Sequence, residues 1–315
     1  MAVFSVDLAG VSLQCSVRFP ETKVYFQSWL SPDRSAAEPP ESGGYTIPDA
    51  DWDSFPGINM PQCPHTEYSM LVGYLSDRLI EEDRCAIHAV AIRWNGAAYL
   101  ICGESGVGKS TQTKWLQALR PGEFSVICGD RPILEFRPSA PAPCHSERSE
   151  ESVPSVPFPR HSERSEESAS PVPFHRHSER SEESASPVPE RSAPVAAHSV
   201  RHSAAQSILV HPSPWNGKEN WHGAETAPLA GIILLVRGER NEIMPLSERQ
   251  AIVPLYKALI HTGWDTEKII KAAKLEEKLL QNGNIWLLTS REVPQSTELL
   301  LNAVFPKIDS GEGTV

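Results

Sequence analysis

Residues 97–111 read AAYLICGESGVGKST and contain, at 103–110, the complete pattern Gly-x-x-x-x-Gly-Lys-Ser of a phosphate-binding loop. An apolar run at 97–102 leads into the loop, and a segment with helical spacing of apolar residues follows it as far as Pro121. Strand, glycine loop and helix in this order bring backbone N–H groups and a helix N-terminus to a bound phosphate. The sequence therefore predicts binding of a nucleoside triphosphate.

The residues of the loop have separate expected roles. Lys109 would neutralise charge on the β- and γ-phosphates, and the hydroxyl of Ser110 would bind Mg²⁺. The implied ligands are ATP and Mg²⁺, although the loop does not distinguish ATP from another triphosphate. The residues expected to contact the nucleotide are Gly103, Glu104, Ser105, Gly106, Val107, Gly108, Lys109, Ser110 and Thr111.

Asp130 is the first candidate outside the loop. It follows the apolar run 124–128, which is a predicted strand. A carboxylate at the carboxyl end of a strand beside the loop can bind Mg²⁺, directly or through water, or accept a proton from an attacking hydroxyl. The alternative is that Asp130 only caps the turn before Pro132, because turns favour Asp.

His88 and Lys218 are the other two candidates. His88 lies on a predicted strand that pairs, through a hairpin turn at Asn95-Gly96, with the strand entering the loop. A single strand histidine is more often structural than catalytic. Lys218 lies in the polar segment 214–220, PWNGKEN, where it can reach an anionic group of a substrate; the alternative for that segment is an exposed turn.

A low-complexity block interrupts the chain. The octapeptide HSERSEES occurs three times, at 145–152, 161–168 and 177–184. Such a segment has almost no apolar side chain to bury, so it cannot offset the entropy lost on ordering. We predict a disordered insertion at 138–205, in the turn of a hairpin formed by 132–136 and 207–210. A phosphorylated tail or a histidine-rich metal tract is the functional alternative.

Apolar patterns predict the remaining elements. The apolar residues Val3, Val6 and Leu8, followed after a turn signal at Ala9-Gly10 by Val11, Leu13, Cys15 and Val17, alternate as in strands, so residues 1–30 are predicted to be strand-forming. Further strands are predicted at 86–94, 97–102, 124–128, 229–236 and 285–289. Helices are predicted at 68–80, at 266–281 and near 295–304, and another begins at a capping box at Ser247 and extends to 259. The expected fold is α/β, with a mixed sheet flanked by helices.

These elements divide the chain into three parts. Residues 1–85 form a β-rich N-terminal segment that includes one helix. Residues 86–137 and 206–315 form a single nucleotide-binding domain, because the two short strands beside the block pair with each other. Residues 138–205 form the insertion between them.

Composition restricts the partners. The formal net charge of −11 argues against a nucleic-acid-binding protein, which needs a basic surface to displace counterions. The six cysteines include no Cys-x-x-Cys pair, and no apolar run is long enough to span a membrane. We therefore expect a reduced, cytoplasmic protein that binds neither nucleic acid nor membranes.

An ordered series of short motifs resembles the HPr kinase/phosphorylase-related proteins, which are P-loop kinases that share a fold with phosphoenolpyruvate carboxykinase. The chain is similar, more narrowly, to small bacterial relatives found in peptide-modification cassettes of the SynChlorMet and lasso-peptide types. The motifs are His88-Ala89, Tyr99-Leu100, GESGVGKST at 103–111, ICGDRP at 127–132, PWNGKE at 214–219, APL at 227–229 and Asn241.

The resemblance implies a kinase core like the C-terminal domain of HPr kinase, and it implies roles for individual residues. Asp130 would be the base that deprotonates the acceptor hydroxyl, and His88 would lie near the transferred phosphoryl group. Two positions depart from the pattern. Gly129 stands where these relatives usually carry a first Asp, and Thr111 stands where HPr kinases have Glu. The C-terminal segment that engages HPr is not recognisable, which argues against HPr as the acceptor.

Two functions follow as hypotheses. The first is a kinase that transfers the γ-phosphoryl group of Mg-ATP to a hydroxyl, usually of serine, on a protein, a peptide or a small molecule. The second is a nucleotide-binding accessory protein of a peptide-modification cassette in which Gly129 has weakened catalysis. A carboxykinase is disfavoured, since no arginine and metal-ligand set for a dicarboxylate is visible. Because HPr kinases form hexamers, a homo-oligomer stays open.

Overall fold

The computed structural model describes residues 2–30, 45–47, 52, 61–138, 207–263, 265–281 and 284–306. All of these belong to one compact unit, Met1–Ala140 together with Ser199–Val315. The predicted insertion at 138–205 lies outside the described residues except for its first residue. Among the helices described, each is too short or too polar to cross a membrane.

The N-terminus forms a small sheet. Strands β1 (Ala2–Leu8) and β2 (Val11–Val17) pair as an antiparallel hairpin, and β3 (Tyr45–Thr46) adds in parallel to β2. Within the predicted alternation, Val3 is out of register with Val6 and Leu8: Val3 is 54% exposed, whereas Phe4, Val6 and Leu8 are buried. Strand side chains alternate with a period of two, so residue 3 and residue 6 point to opposite faces.

The strand prediction over 1–30 also fails beyond residue 17. Pro20–Trp29 is a 3-10 helix instead, with Pro20 at its start. Proline fixes φ near the helical value and lacks an N–H, and it therefore suits the first turn of a helix. Phe26 of this helix is fully buried. It lies in the core that the hairpin forms with the helix at 64–81.

A large sheet contains ten strands of the described chain. They are β4 (Arg84–Ile87), β5 (Ala89–Trp94), β6 (Ala97–Cys102), β7 (Phe124–Cys128), β8 (Ile133–Phe136), β9 (Ile208–His211), β10 (Ala227–Arg237), β11 (Glu242–Pro245), β12 (Leu259–Ile260) and β13 (Ile285–Ser290). Their order is β12-β4-β8-β9-β10-β6-β5-β7, with β13 added beside β10 and β11 beside β13. β10 pairs in parallel with β6 and β13, and antiparallel with β9, so the sheet is mixed.

Helices cover both faces of this sheet. They are α1 (Pro64–Glu81), α2 (Lys109–Leu119), α3 (Glu248–Ala258), α4 (Thr266–Gln281) and α5 (Val293–Val304). Along β6, Leu100 belongs to the core shared with α3 and α4, whereas Tyr99 and Ile101 belong to the core shared with α2 and α5. The coarse expectation of an α/β fold with a mixed sheet flanked by helices is confirmed.

Two predicted hairpins are present, and one predicted strand is divided. Asn95 and Gly96 both have positive φ in the turn between β5 and β6, as a type I′ turn requires. β8 pairs antiparallel with β9, from Ile133 opposite His211 to Phe136 opposite Ile208. The predicted strand 86–94 breaks at His88, because β4 pairs with β8 while β5 pairs with β6 and β7.

A buried carboxylate attaches the N-terminal segment to α1. Glu67 is 1% exposed and accepts hydrogen bonds from the backbone N–H groups of Arg18 and Phe19, at 2.6 and 3.1 Å. The hydroxyl of Thr22 donates a third, at 2.6 Å. These bonds hold the chain where β2 turns into the 3-10 helix, so they determine which residues of that helix lie against α1.

Glu67→Ala should destabilise the protein by roughly 3 kcal/mol, because it removes the acceptor of two partly buried backbone N–H groups and leaves the Thr22 hydroxyl with only its longer contact to Pro64 O. Urea unfolding followed by circular dichroism measures the change. Glu21→Ala, at an exposed position of the same 3-10 helix, is the matched control and should change the free energy of unfolding by less than about 0.5 kcal/mol. Equal effects of the two substitutions would contradict the role given to Glu67.

Candidate active site

The phosphate-binding loop connects β6 to α2. Gly108 caps α2 with φ of 116°, a left-handed conformation that favours glycine, and no side chain caps this helix. The first backbone bond of the helix runs from Gln112 N to Gly108 O, at 2.9 Å. The N–H groups of 109–111 therefore have no acceptor within the helix and are available to an anion.

Lys109 turns back over the loop that precedes it. Its Nζ donates to the carbonyl oxygens of Gly103, at 2.9 Å, and Glu104, at 3.2 Å. Burial lowers the pKa of Lys109, and the negative charge of Asp130 opposes this effect only in part. The ammonium group is thus held at the mouth of the loop, where a phosphate would be a stronger partner than a carbonyl.

His88 lies between the loop and Asp130. Its Nε2 is 3.1 Å from Lys109 Nζ and 3.4 Å from Asp130 Oδ1. A single ring nitrogen either donates or accepts, so it can bond only one of these groups at a time. Nε2 of the imidazole can therefore bond either to the Lys109 ammonium group or to the Asp130 carboxylate, and it can switch from one to the other.

The Asp130 carboxylate is partly buried and is contacted on both oxygens. Arg131 Nε lies 3.4 Å from its Oδ2. Burial alone would raise the pKa of this carboxyl. The hydrogen bond from His88 and the charges of Arg131 and Lys109 outweigh that effect, so the pKa of Asp130 lies below its ordinary value. Asp130 is therefore ionised at neutral pH and can accept a hydrogen bond from a hydroxyl or bind a cation.

The PWNGKE segment packs directly against the strand end that carries Asp130. Arg131 N donates to Trp215 O at 3.1 Å, and Gly129 N donates to Trp221 O at 2.9 Å. A Cβ atom at residue 129 would lie 2.5 Å from the carbonyl oxygen of Asn216. Glycine at 129 is therefore a packing requirement of this chain, and the structure has no room there for the first Asp of the related motif.

Two clefts meet at the His88–Asp130 pair. The first has a volume of about 880 Å³ and is lined by the phosphate loop, His88, the end of β10 and part of α3. This volume is within the usual range for small-molecule sites, about 300–1,000 Å³. The second, of about 700 Å³, contains Asp130 and Lys218. The structure thus brings Lys109, His88 and Asp130 together, whereas Lys218 lines the second cleft and not the phosphate loop.

Two cations of the first cleft were missed by sequence reasoning. Arg237 ends β10, and its Nη2 lies 3.8 Å from the position of a Cβ at Gly108; Lys257 lies on α3. The sequence contained one usable signal for Arg237, which is the first cation after the long apolar run of β10. The carboxyl ends of parallel strands meet at one edge of a sheet, and β10 is parallel to β6. Lys257 had no comparable signal.

The residues present suit a metal ion held jointly with a nucleotide. Ser110 lies on the first turn of α2, and Asp130 supplies a carboxylate. The described part of the chain contains no group of three or more His, Cys, Asp and Glu side chains that could hold a metal alone. Mg²⁺ would therefore need phosphate oxygens and water in addition to these two residues.

Comparison with known proteins adds no assignment: no protein-family model and no curated protein matches this sequence. The functional interpretation therefore depends on the site geometry and on the motif resemblance described above.

Gly129→Ala should destabilise the protein by about 2 kcal/mol, since the added methyl overlaps the backbone carbonyl of Asn216. Gly129→Asp should be at least as destabilised, because it carries the same Cβ. Thermal unfolding measures both. Ser125→Ala, at an exposed position on the adjacent β7, is the control and should be near neutral. A Gly129→Asp protein as stable as wild type would show that the segment at 216 moves aside freely.

Proposed function

We propose that this protein is a P-loop phosphotransferase that moves the γ-phosphoryl group of Mg-ATP to a hydroxyl acceptor, with a kinase core of the HPr kinase type. The observation that carries the proposal is the series Lys109, His88 and Asp130. It runs from the phosphate loop to an ionised carboxylate through contacts of 3.1 and 3.4 Å. A site that only bound nucleotide would not need His88 and Asp130.

The phosphate loop would position the triphosphate. The free N–H groups at the start of α2 and the Lys109 ammonium would bind the β- and γ-phosphates, and Arg237 and Lys257 would add positive charge to the same cleft. Mg²⁺, bound by Ser110 and by Asp130 directly or through water, would neutralise charge on the transferred group. Positioning and charge neutralisation account for most of the catalysis in this class of reaction.

Asp130 would act on the acceptor. Its ionised carboxylate accepts the hydrogen bond of the acceptor hydroxyl and takes its proton as the oxygen bonds to the γ-phosphorus. The bond from that phosphorus to the β–γ bridging oxygen breaks, and ADP leaves with the electron pair. His88, within reach of both Asp130 and Lys109, would orient the carboxylate and keep its charge close to the reacting group.

The second candidate is a nucleotide-binding accessory protein without transfer activity, and one observation favours it. Because residue 129 has no space for a side chain, Asp130 is the only carboxylate at this strand end, and both of its oxygens already have cationic or imidazole neighbours. Under this alternative ATP binds in the first cleft and is not turned over.

Asp130→Asn separates the two candidates. The amide is nearly isosteric but cannot take a proton, so phosphoryl transfer should fall by about 10²- to 10⁴-fold while nucleotide binding persists. The assay follows ³²P from γ-labelled ATP to a mixture of serine-containing peptides, free L-serine and water. Glu239→Gln, on the exposed surface, is the control and should match wild type. A wild-type protein that binds ATP but labels no acceptor supports the accessory role instead.

A further inference from the structure

The second cleft contains Asp130 but no residue of the phosphate loop. We propose that it binds the phosphoryl acceptor, and that this acceptor carries an aryl group and an anionic group close to its hydroxyl. The inference rests on the proposed function, and it assigns the N-terminal segment a part in substrate selection.

The position of the cleft identifies its occupant as the acceptor. His88 lines the first cleft and Asp130 lines the second, and the two side chains are 3.4 Å apart. A hydroxyl bound to Asp130 from the second cleft would therefore enter the site through a different cleft from the nucleotide. In-line transfer requires acceptor and leaving group on opposite sides of the phosphorus.

One wall of the second cleft is aromatic. Tyr25, on the 3-10 helix, stacks on Tyr68 of α1 with ring centroids 4.5 Å apart and an interplanar angle of 26°. His65 lies 6.2 Å from Tyr25 by ring centroids. Tyr25 is 42% exposed, so the ring remains accessible to a ligand. An exposed ring already held in a stack is a platform for a planar group of a ligand.

The charges of this cleft favour an anion. Among the described residues that line it, Arg131 and Lys218 are the two Arg or Lys side chains, and Asp130 is the one carboxylate. Arg131 is paired with Asp130, whereas Lys218 is exposed and forms no ion pair with any residue in the described ranges. Burial raises the pKa of Tyr68 to about 12, so the phenol beside these cations stays neutral and adds no negative charge.

The size of the cleft agrees with an acceptor larger than a simple alcohol. Its volume of about 700 Å³ is in the range of sites for drug-sized ligands. Two sources have the required chemistry: a hydroxylated aryl acid, or a short peptide in which serine is flanked by an aromatic and an acidic residue. In either case the hydroxyl proton passes to Asp130, the oxygen bonds to the γ-phosphorus, and ADP is released.

Two matched sets of acceptors test the proposal with the full chain, Mg²⁺ and γ-labelled ATP. The first set is 3-phenyllactate, lactate, which lacks the aryl group, and 1-phenyl-2-propanol, which lacks the carboxylate. The second is acetyl-Phe-Ser-Asp-amide with its Ala-Ser-Asp and Phe-Ser-Asn counterparts. In each set, the complete compound is the one that carries both the aryl and the anionic group, and a partial compound lacks one of them. In whichever set is phosphorylated, the complete compound should have a kcat/KM about fivefold above that of either partial compound.

Variants show which residues cause the preference for aryl and for anionic acceptors. Tyr25→Ala should remove the advantage of the aryl compounds, while Tyr25→Phe keeps the ring and the advantage. Lys218→Glu should remove or reverse the preference for the anionic compounds. Lys274→Glu makes an equal charge change at an exposed position of α4, and it should leave the preference for the anionic compounds intact. The KM for ATP is measured for each variant and should stay within about twofold of wild type, because neither residue lines the nucleotide cleft.

The outcomes are distinct. Transfer to the complete compounds, with the losses expected for Tyr25→Ala and Lys218→Glu, supports the inference, and the set that responds identifies the source of the chemistry. Transfer to all compounds of a set at equal kcat/KM, or losses that are the same for Lys274→Glu, overturns the inference but leaves the proposed function standing. Labelling of no compound, with ATP still bound, overturns both.

Discussion

The contact of His88 with both Lys109 and Asp130 is the interaction on which the rest of the site depends. It lies where the backbone changes sheet partners, at residue 88. His88 N donates to Ala258 O at 2.7 Å, and Ala89 N donates to Asp130 O at 2.8 Å. These two bonds fix the imidazole at the junction of β4 and β5, beside the loop that leaves the neighbouring β6.

Close backbone packing sets the position of Asp130 itself. The carbonyl oxygens of Trp215 and Trp221 accept the N–H groups that flank Asp130, and Asn216 O approaches Gly129 too closely for any side chain there. The glycine that departs from the related motif is therefore tied to the path of the PWNGKE segment. The absence of a side chain at 129 and the close docking of that segment are one structural fact, so a single substitution is not expected to place a carboxylate there without moving the segment.

The sequence predicted those features that depend on contiguous residues. The loop at 103–110 and the Asn95-Gly96 turn follow from local patterns, because dihedral preferences and periodicity act over a few residues. Asp130 was also within reach, as the first carboxylate after a buried strand. The pairing of β8 with β9 is not local in the chain, but it follows once the repeat block between the two strands is set aside.

The features that were missed depend on tertiary pairing. The break at His88 arises from competing partners for β4 and β5, and the apolar run 86–94 carries no sign of it. Tyr25 lies within residues that were predicted as strand, so its stack on Tyr68 was not foreseeable from that pattern. Arg237 and Lys257 come close to the phosphate loop only because β10 pairs with β6 and because α3 packs on that side of the sheet.

Isothermal titration of the full chain with Mg-ATP measures whether the loop at 103–110 binds a nucleotide. We expect saturable binding of one nucleotide per chain. Lys109→Met should weaken that binding by about tenfold or more, through the loss of charge-assisted bonds to phosphate. A wild-type protein without saturable binding would show that the loop is not a nucleotide site, as would a Lys109→Met protein that binds Mg-ATP as tightly as the wild type.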